Sequence, residues 1–240
     1  MLAPPERRAP MKSIPRFCQS SIGKKWIVAF TGIVLVAYVL GHLAGNLQIF
    51  LPDKGRINAY GAFLHSLGPL LWAIRGFLLA CLIIHIGFTI QLALENRQAR
   101  PERYEAARYR RSSLAGRSMV MSGLIVLCFI IFHILHFTSN TIRPEFAELK
   151  EAMPDGGERH DVYRMVVMGF QQPAASCFYI LGMILLCMHL SHGFGSLVQT
   201  LGLNTSKVEP WLVNGGRVLA VVICIGYIAI PIAVMLGVLK

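Results

Sequence analysis

The chain has 240 residues, of which 55% are hydrophobic and only 15% charged, with a mean hydropathy of +0.56. So little polar surface excludes an ordinary soluble domain and implies an integral membrane protein. The formal net charge of +11 does not signal nucleic acid, because the basic residues cluster beside apolar runs, where they set topology in a bilayer. Six cysteines (Cys18, Cys81, Cys128, Cys177, Cys187, Cys224) fall mostly inside apolar runs with no C-x-x-C pair, so neither a disulfide framework nor an iron–sulfur site is indicated.

Residues 1–23 form a basic, proline-containing cytoplasmic segment carrying Arg7, Arg8, Lys12 and Arg16. It lacks the short apolar core and small-residue cleavage site of a signal peptide, and Met11 is an alternative start. Ser20-Ser21-Ile22-Gly23-Lys24-Lys25-Trp26 is a polar lip followed by an interfacial aromatic, the pattern of a membrane entry. Beyond it a single membrane domain, residues 24–239, is expected to contain five helical spans near 24–50, 69–95, 118–140, 174–203 and 211–239.

Span I carries His42 and Asn46 at i, i+4 on one helix face, with Gln48 just beyond, and Pro52-Asp53-Lys54-Gly55 ends it. The segment INAYGAFLHSLG, residues 57–68, is too short and polar to span and is expected at the interface, offering Tyr60, His65 and Ser66. Span II has Arg75 in its first turns and His85 deeper. The connection 95–117 holds seven arginines against three glutamates, has the pattern of a short amphipathic helix and should be cytoplasmic; Arg97, Arg100, Arg103, Arg108, Arg110 and Arg111 are expected to face soluble partners or anionic lipid there. Span III carries His133 and His136. The loop 141–172, with six acids against four bases, is expected to form a surface hairpin on the outer side, with His160 solvated.

Span IV lies in a stretch from Ala174 to Leu203 without a single Lys, Arg, Asp or Glu, yet it contains His189 and His192, and Gly193 and Gly195 leave room for a flat cofactor against the backbone. Span V has Arg217 near its start, Pro231 as an expected kink and no histidine. An ionisable side chain at membrane depth is costly unless it faces the bundle interior with a partner, and so marks a functional site. Five spans place the N-terminus and the basic II–III connection in the cytoplasm and Lys240 outside, a multi-pass protein of the cell's inner (cytoplasmic) membrane.

Each of the first four spans has one deep histidine: His42, His85, His133 and His189. All four fall in the later part of their spans, and successive spans run in opposite directions. His42 and His133 therefore share the outer half, and His85 and His189 the cytoplasmic half. Two histidines facing each other across a bundle core can fill both axial positions of a haem iron. Two pairs imply two haems stacked across the membrane, in a four-helix haem-binding bundle (I–IV) plus a peripheral helix V. Without a C-x-x-C-H motif the haem would be of b type. A lone histidine in a span is more often a packing residue than a ligand, but four at alternating depth beside an uncharged core change that balance. Zinc would gather its ligands around one point, and copper would usually recruit Cys or Met. His136, His192, Arg75 and Arg117 are the further candidate cofactor contacts, and Asn46, Gln48, Tyr60 and His65 the candidate quinone contacts.

Ser20-Ser21-Ile22-Gly23-Lys24-Lys25, Gly41-His42-Leu43-Ala44-Gly45-Asn46, Asn58-Ala59-Tyr60, Phe132-His133-Ile134-Leu135-His136-Phe137, and the run from His189 through His192, Gly193, Ser196, Gln199 and Leu201 to Gly202 give the chain a resemblance over residues 20–239. In order and spacing it resembles the five-helix, dihaem cytochrome b subunit of succinate dehydrogenase and fumarate reductase. The resemblance implies that His42 and His133 hold the distal haem and His85 and His189 the proximal one. In span IV the family's His-x-x-x-Gly spacing selects His189 before Gly193, and in span III a ligand ten residues after a glycine selects His133 after Gly123. It also implies a flavoprotein subunit and an iron–sulfur subunit on the cytoplasmic face, a menaquinone or ubiquinone as the electron partner, lipid contact, a complex capable of self-association, and no succinate chemistry in this chain. The sequence departs from some dihaem members in having no carboxylate within the spans apart from Glu95 at a helix end, and in Cys187 two positions before His189.

Two other readings compete. One is the cytochrome b quinone-coupling subunit of another membrane oxidoreductase, of the hydrogenase or formate dehydrogenase type, which would differ in the partners that copurify. The other is a haem-free transporter or structural membrane protein, which would carry no chromophore.

Overall fold

The computed structural model describes residues 17–98, 119–153 and 156–240. In chain order the described elements are α1 (Ser21–Asn46) with a 3₁₀ extension over Leu47–Phe50, α2 (Gly55–Ser66), α3 (Pro69–Gln98), α4 (Met119–His133) running into a π turn over Ile134–Thr138, a 3₁₀ turn at Pro144–Glu148, β1 (Lys150–Ala152), β2 (Glu158–His160), α5 (Val162–Phe170), α6 (Pro173–Thr200) and α7 (Glu209–Met235). Five of these helices, α1, α3, α4, α6 and α7, are long and apolar enough to cross a membrane, so the chain is an all-α membrane protein with a two-stranded ribbon in one loop. The arginine-rich connection, including Arg117, lies outside the described residues apart from its first residues, of which Arg97 is exposed near the end of α3.

The polar lip at the start of α1 is a helix cap: the Ser20 side chain accepts from the Gly23 amide at 3.0 Å. Lys24 is 3% exposed and forms an ion pair with Glu95 near the end of α3. A lysine buried at that depth needs such a partner, and the pair fixes α1 and α3 as antiparallel neighbours. α3 rests mainly on α1, α4 on α6, and α6 most extensively on α7. Helix α7 stands apart from the histidine-bearing quartet in sequence but not in packing. It contains the most buried apolar window of the five, and its Tyr227 hydroxyl donates to the Val39 carbonyl of α1 at 2.8 Å. Pro231 is buried inside the helix, which continues to Met235.

The half of the bundle in which α1 and α4 begin is called lower here, and the half in which they end upper. The upper end is covered by a cap of α2, the ribbon and α5, and Asn58 is its hub. Buried at 2% exposure, Asn58 donates to Glu151 at 2.9 Å and to Asp161 at 3.1 Å, while its carbonyl accepts from the Tyr163 amide at 2.8 Å. Arg159 donates to Glu151 at 2.6 Å and to the Gly55 carbonyl at 3.1 Å, so the ribbon is tied to α2. The expected hairpin is present with Glu151 opposite Arg159 in antiparallel register. The same loop also forms α5, which Asp161 caps by accepting from the Arg164 amide at 2.9 Å. His160 is half-buried rather than solvated, with Nε2 3.4 Å from the Met165 sulfur, because α5 folds back over the ribbon. One apolar cluster runs from this cap (Ile57, Tyr163, Val167, Phe170) into the bundle (Phe129, Tyr179, Met183, Ile230), so cap and upper half share a core.

Candidate functional site

The four deep histidines fall into two pairs at different depths, of which the upper is in ring contact. In the upper half, His42 of α1 and His133 at the end of α4 have ring centroids 5.8 Å apart, with planes at 78°. Tyr38 stacks on His42 at 5.6 Å, Tyr227 of α7 lies 6.1 Å from it, and the Asn46 amide is 3.4 Å from its Nε2. Nδ1 of His133 is 3.3 Å from the Tyr179 hydroxyl of α6, and Phe129 and Phe137 flank its ring.

In the lower half, Nδ1 of His85 lies 3.1 Å from the Thr31 hydroxyl and 3.1 Å from the Val28 carbonyl, both on α1. Nδ1 of His189 lies 3.2 Å from the Ser122 hydroxyl of α4. The two histidines are within electrostatic reach of each other. Each ring lies on a glycine of the neighbouring helix: a Cβ at Gly32 would sit 3.2 Å from His85 Cε1, and one at Gly123 3.2 Å from His189 Cε1. A Cβ at either position would make the imidazole give by a few tenths of an ångström.

The Val28 carbonyl can only accept and so fixes the tautomer of His85; His189 takes the same tautomer when the Ser122 hydroxyl donates to the Met119 carbonyl. A hydroxyl has one hydrogen to donate. Thr31 donates its own to backbone carbonyls of its preceding turn, nearest Ile27 at 2.8 Å, and Ser122 donates to Met119 at 3.0 Å. Toward the histidines both oxygens therefore accept, as the Val28 carbonyl must. Nδ1 of His85 and of His189 is thus an N–H donor, and a neutral imidazole so arranged keeps a bare lone pair on Nε2. Metal-ligating histidines are held in this way, the second ring nitrogen donating to an oxygen that orients the ring.

The residues present fit a b haem on two further counts. Metal–imidazole bonds of about 2 Å on both sides of an iron place ring centres on the order of 6 Å apart, close to the upper pair's spacing. Several glycines near the histidines are open: nothing lies within 4 Å of a Cβ placed at Gly41, Gly87 or Gly195, and Gly193 meets only the Met119 methyl at 3.9 Å, whereas Gly45 is filled by the Tyr60 ring.

The other candidates are distributed unevenly. His136 is buried, and its Nδ1 lies 3.2 Å from the same Tyr179 hydroxyl that His133 faces. His192 is half-buried, within electrostatic reach of His189 and of Arg217 on α7. Arg75 is half-buried, with its guanidinium 5.0 Å from the Trp72 ring centre and within electrostatic reach of Tyr38. Tyr60 packs on Gly45, where a Cβ would lie 2.5 Å from its ring, and is also within reach of Tyr38. Asn46 turns to His42, Gln48 is half-buried in the 3₁₀ turn, and His65 is exposed at the end of α2. Tyr60, Arg75 and Asn46 thus converge around Tyr38 and His42, and His65 is the one left on the surface.

Sequence reasoning missed Thr31, Ser122, Tyr38, Tyr179 and Tyr227. It also missed Arg143, whose Nη1 is buried without a partner at the upper end, as is the Asn140 side-chain oxygen. A hydroxyl residue at the depth of a histidine on the antiparallel neighbour was the available signal for Thr31 and Ser122. No protein-family model matches this sequence, and neither a curated protein nor a solved structure matches it.

Proposed function

We propose that the chain is the membrane-anchor cytochrome b subunit of a succinate:quinone oxidoreductase, holding one b haem between His42 and His133 and another between His85 and His189. The observation that carries this reading is the lower pair's hydrogen bonding, which leaves a bare Nε2 on each of two histidines from different helices. The sequence resemblance supplies the partners: a flavoprotein and an iron–sulfur subunit docked on the cytoplasmic face, beside Arg97 and the arginine-rich connection. When bound, the haems supply one-electron transfer between the two faces of the bundle. The chain's own part is to present neutral imidazoles, to hold them through Thr31 and Ser122, and to keep water away with apolar spans. Tyr38, Tyr60, Arg75 and Asn46 offer hydrogen bonds to a quinone at the upper, outer end. Succinate chemistry belongs to the flavoprotein.

A pyridine haemochrome assay on the purified chain tests the reading, with two low-spin b haems per chain as the expected result. Copurification of a covalent-flavin subunit, with haem reduction on adding succinate, separates it from a hydrogenase or formate dehydrogenase partner. One haem or none in an intact preparation overturns it.

A further inference from the structure

Tyr179 of α6 stands between two histidines of one helix, 3.3 Å from Nδ1 of His133 and 3.2 Å from Nδ1 of His136. The two histidines are three residues apart and share a helix face, and after His133 the chain leaves α geometry for a π turn over Ile134–Thr138, a distortion common at functional sites. The tyrosine ring is held edge-on by Phe129, Phe132, Phe137 and Phe170, with centroids 5.0–5.9 Å away. Tyr179 is 7% and His136 3% exposed, so neither can exchange its partner for water, and buried polar groups must be satisfied within the protein.

A phenol donates one hydrogen and a neutral imidazole carries one N–H. The two Nδ1 atoms and the hydroxyl's own hydrogen are all satisfied among themselves only when one Nδ1 is protonated and the other bare. Two arrangements meet that condition, and only one leaves His133 with a bare Nε2.

We propose that Tyr179 is a positioning residue for the upper pair, accepting the Nδ1 hydrogen of His133 and donating its own hydroxyl hydrogen to Nδ1 of His136. His133 then presents a bare Nε2, while His136 carries its hydrogen on Nε2 and cannot ligate through it. The inference rests on the dihaem reading and deepens it, since it decides which of the two span III histidines is the ligand. The lower pair reaches the same tautomer through hydroxyls committed to backbone carbonyls; in the upper pair the group that orients the hydroxyl is itself a histidine. An N–H donated to oxygen raises the basicity of the opposite nitrogen, which favours ferric over ferrous iron.

The test compares the assembled complex with its Tyr179→Phe variant, which keeps the ring and its aromatic contacts. The expected result is an upper haem held on the order of tenfold more weakly. Its midpoint potential should rise by about 59 mV for each tenfold loss of ferric preference, with the lower haem unchanged. The upper haem is identified as the one missing from His42→Ala. His136→Gln, whose side-chain oxygen can still accept from Tyr179, should keep the parent potential, and His136→Leu should shift it in the direction of Tyr179→Phe. A purely structural tyrosine moves neither potential, so unchanged potentials in both Tyr179→Phe and His136→Leu overturn the inference. Loss of the upper haem in His136→Gln makes His136 the ligand and also overturns it. A parent complex without haem refutes the proposed function itself and is seen before any variant is made.

Discussion

The upper and lower histidine pairs use one side chain in two kinds of surroundings. His42 and His133 are close to each other and ringed by Tyr38, Phe129, Phe137, Tyr179 and Tyr227, under a cap whose apolar core is continuous with theirs. Among the described residues no aromatic ring packs on His85 or His189: each contacts a small hydroxyl residue and is laid against a glycine on the helix beside it. The lower pair is thus organised by two helix–helix contacts, α1 with α3 and α4 with α6. The upper pair needs those helices together with α7, α2 and the loop that follows α4. An imidazole can be oriented by local hydroxyl chemistry or by bulk packing, and the second route makes it dependent on parts of the chain far away in sequence.

The largest expected effect tests the pairing itself. His42→Ala and His133→Ala should each remove the same haem and leave one of two, and His85→Ala and His189→Ala should each remove the other, as read by haemochrome content and redox titration. Loss of different haems by His42→Ala and His133→Ala would break the comparison at its base.

Asn58→Leu should come next. It strips the partner from two carboxylates and a buried amide, at about 1–3 kcal/mol for a group left unsatisfied. The complex should melt earlier, and the upper haem's spectrum or retention should change while the lower haem's does not. Equal disturbance of both haems would mean that the cap serves the whole bundle rather than the upper site. In the other direction, Thr31→Val keeps shape and removes one of the two acceptors of His85, leaving the Val28 carbonyl. It should weaken the lower haem on the order of tenfold and spare the upper one, measured by haem loss to an acceptor protein.

The smallest expected effect is on pH. Arg159 first, and Asn58 after it, hold the Glu151 carboxyl below its ordinary value of 4.5. A lowered folded-state value contributes stability that is present above the unfolded value and lost as pH falls through the folded one. The cap should therefore stay closed at neutral pH and loosen only below about 4.5, seen as faster hydrogen exchange in the Lys150–His160 ribbon. Glu151→Gln should abolish that acid step, and an unchanged step would place the acid sensitivity elsewhere.

The sequence by itself determined the five spans, because a run of apolar residues long enough to cross a bilayer must satisfy its backbone internally and so must be helical. It also determined the depth pairing of the histidines, which follows from where each falls in its span and from the alternation of direction. What it could not reveal was which atoms orient each ring. Thr31 and Ser122 are single small residues in apolar helices, and only the close approach of α1 to α3 and of α4 to α6 turns them into acceptors. Lys24 read as an interfacial charge until Glu95, in another span, was seen to pair with it. Helix α5 was hidden in a loop rich in acids, Pro and Gly, and its apolar face has meaning only against the core it covers. Tyr179 was one more aromatic in a membrane span; the tertiary structure alone decided its role, because only the packing of α6 on α4 brings its hydroxyl to the two histidines. Periodicity and length are properties of a segment, whereas a hydrogen bond between helices depends on side chains 43–67 residues apart meeting in space.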